Sequence, residues 1–448
     1  MKTMKKITYL ILLATIAFSG CTKMLDIEPT DAIADYIALE DRAGIEHAIT
    51  GAYNAFHASG LYYRDQIIVG DLSADNLIFT GTTLDYEQIS SKMIPADNAI
   101  IDGMWSANYD GINRVNNVLN SLPGISDLSQ SERDGFEGQM LFMRAFFHFN
   151  LSNFFGGVPI KNIPTLDLTN IDQAKDSIEE IYAQAIEDLL SAEQKLPPTS
   201  VTGKANSFAA TALLARVYLA KFHLTNNPAD ATLAIEKATK VITEGSYTLA
   251  ANYGDLFGGT ENEGIFKVVF DAQNRNRLAQ YFFPRSLTGR YEVAPSPSFI
   301  DGYEADDTLR KVASIAYDEG NLPYVTKYTD ITTGTDPVFV MRLAEMYLIR
   351  AEARAFSSGD KQSIRDDVNV IRSRAGLVAI ESDDYTALQL AVEHERQYEF
   401  AFEGLRRFDL VRTNRATTVL GIEQDYTIFP IPLSEFNTNK LMQQNHGY

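Results

Sequence analysis

Residues 395–412 read ERQYEFAFEGLRRFDLVR. Glu395, Glu399 and Glu403 recur at every fourth position, so a helix here puts three carboxylates on one face. Arg396, Arg406, Arg407 and Arg412 stand beside them, and Phe400, Phe402, Phe408 and Leu410 add apolar area. The helical period runs back to Asp384 and predicts a helix over 384–412. A glycosidase sets two carboxylates across a sugar, about 5–9.5 Å apart. Three on one helical stripe face the same way, and beside arginines they read as an ion-pair network between helices. Asp71 and Asp75, in VGDLSADNL, form a second acidic pair that reads as capping and turn chemistry.

Outward from this stretch, helical period dominates. It predicts helices over 42–58, 104–122, 131–155, 176–196, 206–224 and 231–244, and again over 338–356 and 361–374. Trp105, at the head of one of them, reads as packing. Ala209, Ala212, Ala215 and Ala220 form a small-residue set, as do Ala344, Ala351 and Ala355. Small residues let helices approach closely, which is the logic of stacked helical repeats. The spacing is irregular, so the repeat is degenerate, and a plain helical bundle stands as the alternative. Between 247 and 337, Gly, Pro, Asn and Asp abound and long ordered loops are predicted. Short strands are predicted at 265–270 and 427–431.

Composition narrows the function. Acidic residues outnumber basic ones 59 to 39 in a chain of 448, a net charge of −20, which disfavours nucleic acid as a partner. One cysteine excludes disulfide staples and cysteine-based metal centres. The six histidines show no HExxH spacing, and there is no G-x-S-x-G elbow, P-loop, dinucleotide fingerprint or D-x-D-x-D-G calcium loop. No cofactor is expected beyond a covalent lipid, although a structural calcium held by scattered Asp and carbonyl oxygens stays open.

Residues 1–20 have signal-peptide anatomy. Lys2, Lys5 and Lys6 precede the apolar run Ile7–Phe18, which is shorter than the about 20 residues of a membrane-spanning helix. Ser19-Gly20-Cys21 resembles a bacterial lipobox, with Phe18 where Leu is common. The only cysteine sits where lipidation would use it, so Cys21 is the expected anchor and residues 21–35 its tether.

Read together, CTKMLDIEPT, MWSANYDGINRVNNVLNSLP, GQMLFMRAFFHFNLSNFFGGVPI, MRLAEMYLIRAEARA with NVIRSRAGL, and ERQYEFAFEGLRRFDLVR are similar to the SusD/RagB family of outer-membrane lipoproteins of the Bacteroidetes. YTIFPIPLSEFNTNKLMQQNHGY extends the likeness to Tyr448. Arg407 departs from the pattern, where an aromatic Trp is usual. The resemblance implies a mostly α fold: degenerate tetratricopeptide-like helix pairs, an irregular loop-rich face and a few short strands. It implies one domain over 36–448, with a helical part to about 250 and a loop-rich and C-terminal helical part beyond. It also implies a non-catalytic protein, lipid-anchored at the outer membrane and exposed at the cell surface. Such a protein captures oligosaccharide or polysaccharide for a SusC-like TonB-dependent transporter. A peptide-capturing RagB-like protein is the alternative. A helical glycoside hydrolase or lyase and a scaffold for protein partners are the rivals from other classes.

Sugars stack C–H faces on aromatic rings and bring hydroxyls to Asn, Asp and Arg. Rings for this purpose belong on loops, because helix-face aromatics are usually core. SGLYYRDQ offers Tyr62, Tyr63 and Arg64, and DNLIFTGTTLDYEQ offers Asp75, Asn76 and Tyr86. QNRNRLAQYFFPRSLTGRYE offers Tyr281, Phe283, Arg285 and Tyr291. Adjacent aromatics such as Tyr62-Tyr63 cannot both face one core in an extended segment, so one of each pair is expected outside. Stacking on such rings would be nearly independent of salt, unless arginines such as Arg64 and Arg285 receive an anionic sugar.

Overall fold

The computed structural model describes residues 39–165, 171–199, 201–258 and 262–448. The expected signal peptide, Cys21 and the whole of the expected tether lie outside the described residues. Eight helices come first: α1 (Arg42–Tyr53), α2 (Asp65–Leu72), α3 (Leu84–Ser90), α4 (Ala99–Ser121), α5 (Gln130–Phe155), α6 (Ile178–Lys195), α7 (Ser207–Thr225) and α8 (Pro228–Glu244). After a loop-rich stretch containing the short α9 (Leu278–Phe282) come α10 (Leu343–Phe356), α11 (Lys361–Arg374), α12 (Tyr385–Glu399) and α13 (Arg406–Arg412).

Local chemistry fixes the helix ends. Ser129 with Glu132, and Ser177 with Glu180, form capping boxes at the starts of α5 and α6. Asn206, Asn227, Asp360 and Asp384 cap α7, α8, α11 and α12 through side-chain oxygens. Neighbours along the chain then stack, α4 on α5, α5 on α6, α6 on α7, α7 on α8, α8 on α10 and α10 on α11 and α12. The alanines read as crossings are buried, Ala209, Ala212 and Ala215 on α7 and Ala344, Ala351 and Ala355 on α10.

Three predicted elements change identity. Residues 338–356 split into strand β6 (Val338–Arg342) and α10, because β6 pairs antiparallel with β2 (Gly264–Val268). The predicted strand at 427–431 pairs with no strand; its backbone bonds the end of α5 instead, Phe429 N–H donating to Phe154 O at 2.7 Å. The helix predicted over 384–412 breaks between α12 and α13. Phe402 (φ 63°) and Gly404 (φ 77°) turn the chain left-handed there. The Gly404 N–H donates to the buried Asp71 carboxylate at 2.7 Å, and a Cβ at Gly404 would lie 2.7 Å from Gln66 O. Glu403 therefore leaves the stripe that carries Glu395 and Glu399.

The acidic stretch meets a buried ionic centre. Arg342, closing β6, donates through Nη1 to Glu263 at 2.8 Å, through Nε to Glu403 at 2.9 Å and through Nη2 to the Glu399 carbonyl at 2.7 Å. It also contacts the Glu399 carboxylate, as does Arg374 of α11. Lys327 donates to Glu403 at 2.8 Å. Arg310 pairs with Glu395 at 2.5 Å. The expected grouping of Glu399, Glu403, Arg406 and Arg412 is corrected here: Arg406 pairs with Asp75 at 2.7 Å and Arg412 with Glu352 at 2.8 Å. Arg407, the departure from the family pattern, is buried over the Phe429 ring and donates to the carbonyls of Ser73, Tyr426 and Thr427.

Burial acts to raise the Glu399 and Glu403 carboxyls, but Arg374 and Arg342 at Glu399, and Arg342 and Lys327 at Glu403, outweigh it and hold both below the ordinary 4.5. A depressed carboxyl contributes stability above its unfolded pKa and loses it as pH falls through the folded one. Glu403→Ala is expected to cost about 3–5 kcal/mol, the range for breaking a buried ion pair. Its melting temperature should also lose part of the wild-type decline at acid pH, and unchanged melts from neutral to acid pH would refute a supporting role for this centre.

Candidate functional site

Three loop segments meet on one face. The first is the turn Tyr62-Tyr63-Arg64 entering α2, with α3 beyond it. The second runs from Asp271 through α9 to β3 (Val293–Pro295). The third is the hairpin of β4 (Ile315–Tyr317) and β5 (Pro323–Val325). β3 pairs antiparallel with β1 (Leu77–Phe79). Arg277 N–H donates to Tyr63 O at 3.0 Å, and the Tyr291 hydroxyl donates to Pro323 O at 3.0 Å. Just beyond β5, Lys327 and Tyr328 fasten the hairpin down, Lys327 to Glu403 and the Tyr328 hydroxyl to Phe402 O at 3.2 Å. The loop face thus stands on the ionic centre.

Tyr281, on α9, is the hub of a cluster of charge and aromatic rings. The Arg64 guanidinium carbon lies 4.7 Å from its ring centroid, and Nη1 donates to its hydroxyl at 2.6 Å. Arg290 sits 5.0 Å from the same ring. Asp65 accepts from Arg64 at 2.6 and 2.9 Å and from the Tyr86 hydroxyl at 2.5 Å. This pairing outweighs the opposing effect of burial and raises the pKa of Arg64, which stays charged. Arg277 donates through Nε to the Tyr63 hydroxyl at 3.0 Å and through Nη1 to Gln280 at 2.8 Å. Tyr291 has φ 54°, a left-handed conformation that bulky residues rarely adopt. Its carbonyl accepts from Thr80 Oγ1 at 2.8 Å and its hydroxyl is tied to Pro323. Such strain persists where neighbours over-determine it, and it clusters at ligand-binding positions.

The residues singled out in the sequence divide into two groups. Tyr63, Arg64, Tyr281, Phe283, Arg285 and Tyr291 all belong to this face. Phe283 and Tyr291 are half-buried, and Arg285 is exposed. Tyr62, Asn76 and Tyr86 are interior, with 5%, 1% and 1% of their surface exposed. Tyr62 packs on Phe56 and Phe146, Asn76 donates to Asp71, and Tyr86 sits on α3, where a helical face turns it inward. Asp75 has its carboxylate engaged by Arg406. The exposure expected of Tyr62, Tyr86 and Tyr281 thus gives way to burial: Tyr86 and Tyr281 lie on helices α3 and α9 where loops were read, and Tyr62, in the turn before α2, is taken up by Phe56 and Phe146. Arg277, Arg290 and Tyr324 were missed. Tyr324, on β5, meets the Phe283 ring edge-on at 4.8 Å. The run of arginines was visible in the sequence; the hairpin that delivers Tyr324 was not.

A cavity of about 490 Å³ opens within the helical scaffold, lined by Phe146, Asn150, Arg216, Arg396 and Asp409 among others. Its charges are paired across the wall, Arg216 with Glu345 at 2.6 Å and Arg396 with Asp409 at 2.8 Å. Among the described residues, no group of three or more His, Cys, Asp or Glu side chains is placed to hold a metal ion.

A family model of SusD-like proteins, described as starch-binding associating with outer membrane, matches residues 23–219, and a SusD family model matches residues 319–427. The chain belongs to the SusD family. The description that the family model carries is of carbohydrate binding, not of catalysis. SusD-like protein P2 of Formosa agariphila is 25% identical, covering 99% of both chains. Starch-binding protein SusD of Bacteroides thetaiotaomicron is 25% identical, over 76% of this chain and 77% of its own. Among solved structures, a laminarin-binding SusD-like protein superposes with a TM-score of 0.81 at 22% identity, covering 91% of this chain and 100% of the other. Surface glycan-binding protein A from Bacteroides thetaiotaomicron gives 0.79 at 20% identity, with the same coverage. Identities this low establish the shared fold alone.

Tyr62 and Tyr63 are adjacent and should behave oppositely. Tyr62→Ala empties a core position and is expected to cost about 3–5 kcal/mol, as large core truncations do. Tyr63→Ala is expected to cost under about 1.5 kcal/mol, since it loses one hydrogen bond and partial packing. Thermal and denaturant melts of the two variants check the contrast, and equal losses would contradict the placement of Tyr63 at the surface.

Proposed function

We propose that this chain is a glycan-binding lipoprotein that captures oligosaccharide or polysaccharide on its loop-rich face and delivers it to a SusC-like TonB-dependent transporter. The observation that carries the reading is the cluster around Tyr281. There, half-buried rings (Tyr63, Phe283, Tyr291, Tyr324) and guanidinium groups share one face, fastened to a buried ionic base. Rings of this kind offer stacking area, and arginines offer donors to hydroxyls and acids. The family description, starch-binding associating with outer membrane, and the laminarin-binding relative support a glycan as ligand. No helix among the described residues is long and apolar enough to cross a membrane; the anchor proposed is a lipid on Cys21, the lone cysteine after Ser19-Gly20. The carboxylates that first suggested hydrolysis are spent on buried cations: Glu395 on Arg310 and Arg372, Glu399 on Arg342 and Arg374, Glu403 on Arg342 and Lys327.

Incubation with a panel of oligosaccharides should give binding by calorimetry with no new reducing ends. Cleavage would overturn the non-catalytic reading, and peptide binding without glycan binding would favour the peptide-capturing alternative. In cells, Cys21→Ala is expected to move the protein from the detergent phase to the aqueous phase. A wild-type chain that is already soluble and unmodified would contradict the anchor.

A further inference from the structure

We infer that the ligand carries negative charge: the loop face is built for an acidic saccharide, with arginines receiving a carboxylate or sulfate group. This rests on the glycan-binding reading and narrows it. The chain as a whole carries −20, yet from Ala272 to Tyr291 there are four arginines (Arg275, Arg277, Arg285 and Arg290) and no acidic residue. The fold adds a fifth, Arg64, to the same face. A protein of this net charge repels anions over most of its surface, so a local concentration of guanidinium groups stands out as a receptor for them.

The geometry gathers three of the five. Arg64 and Arg290 both lie over Tyr281, and Arg277 is bonded to Tyr63 and Gln280, the residues beside them. Arg290 N–H donates to Gln280 O at 2.6 Å, which holds the loop carrying Arg290 against α9. Two acids enter the cluster, Asp65 on Arg64 and Glu292 on Arg290, and both are buried. They fix the guanidinium planes from beneath. The Arg290 side chain is still 47% exposed and that of Arg64 19%. Arg277, Arg275 and Arg285 have no carboxylate within salt-bridge distance among the described residues. Of the two acids that flank the run, Asp271 accepts from the Gln273 and Asn274 N–H groups and Glu292 is the acid already counted on Arg290; Asp318 of the neighbouring hairpin accepts from the Ser286 hydroxyl.

The same geometry argues against a site that works by stacking alone. Tyr62 and Tyr86 are interior, and Tyr281, the central ring, already faces two guanidinium groups and is 8% exposed. What the face offers most freely is N–H donors in planar forks, which match carboxylate and sulfate oxygens in paired hydrogen bonds. Half-buried Tyr63, Phe283 and Tyr291 at the margin would then hold the sugar ring while the arginines hold its acid.

The test is calorimetry on the full chain with four probes: oligogalacturonate, sulfated carrageenan fragments, maltoheptaose and laminarihexaose. At least one acidic probe is expected to bind more tightly than both neutral ones, and which acid binds separates a carboxylate from a sulfate. Raising salt from roughly 0.05 to 0.5 M should weaken that binding about tenfold or more. Arg277→Gln and Arg290→Gln should each weaken it about tenfold, the scale of a charge-assisted hydrogen bond, with Arg277→Lys retaining part of the affinity. Melting temperatures recorded beside each titration identify a variant that has lost its fold, and Arg290, the more exposed position, is the second reading in that event. Neutral probes bound as tightly as acidic ones, insensitive to salt and to both substitutions, would overturn the acidic ligand and leave glycan capture standing. Absence of binding to all four probes would overturn both.

Discussion

Everything on the loop face depends on one buried guanidinium. Arg342 ends strand β6 and touches Glu263 on one side and Glu399 and Glu403 on the other, so three distant parts of the chain, the arginine's own included, meet at it. A buried arginine without partners carries a large desolvation penalty, and so does each carboxylate. None of the four is tolerable alone, so the elements that carry them have to arrive together. β2, β6, the end of α12 and the turn after it are thereby fixed against one another. Lys327 shares Glu403 with Arg342 and carries the constraint outward into the hairpin β4–β5. Burial pulls the Lys327 ammonium down to about 8, the mark of a charge kept in place by its partners rather than by water.

A binding face made of loops needs such a foundation. Loops offer variety of shape and sequence but little intrinsic stiffness, and a mobile site loses affinity to the entropy of ordering. Here the stiffness comes from below and from the side: the ionic centre beneath, the short β1–β3 pairing, and the hydrogen bonds that tie Tyr63, Arg277, Gln280 and Arg290 to one another. The helical scaffold does the rest by ordinary means, with capped helices stacked on their chain neighbours. Paired charges also line its internal cavity, so scaffold and site use the same chemistry in different roles: arginine–acid pairs buried on both sides within, and on the face buried acids beneath arginines that stay partly exposed.

The helical scaffold was legible in the sequence because amphipathic period and end signals agree. The apolar period puts three of the starts at 131, 176 and 231; the caps Ser129 with Glu132, Ser177 with Glu180, and Asn227 before Pro228, which that reading left out, set them at Gln130, Ile178 and Pro228. Legibility failed where tertiary pairing overrode local pattern. Val338–Arg342 has a period compatible with a helix, but β2 is waiting beside it and makes it a strand. The stretch Glu395–Arg412 repeats every four residues through a turn that only the Asp71 carboxylate and the close passage of Gln66 explain. At the site, Tyr62 and Tyr86 could not be told from Tyr63 and Tyr291, because Tyr86 turns inward on a helix only seven residues long and Tyr62 turns inward from a tight turn onto Phe56 and Phe146, distant contacts that no local pattern shows. The arginine run was readable as charge, and Arg64 was set beside Arg285 as one patch; that Arg64 and Arg290 both lie over the Tyr281 ring was not.

Hydrogen exchange of the full chain with and without a bound acidic oligosaccharide, read by mass spectrometry, bears most directly on where capture occurs. Protection is expected in the peptides spanning residues 62–65, 275–291 and 318–325, with the helix pairs from α5 to α8 unchanged. Protection confined instead to the walls of the internal cavity, at residues 223–226 and 424–428, with the loop face unaffected, would contradict it.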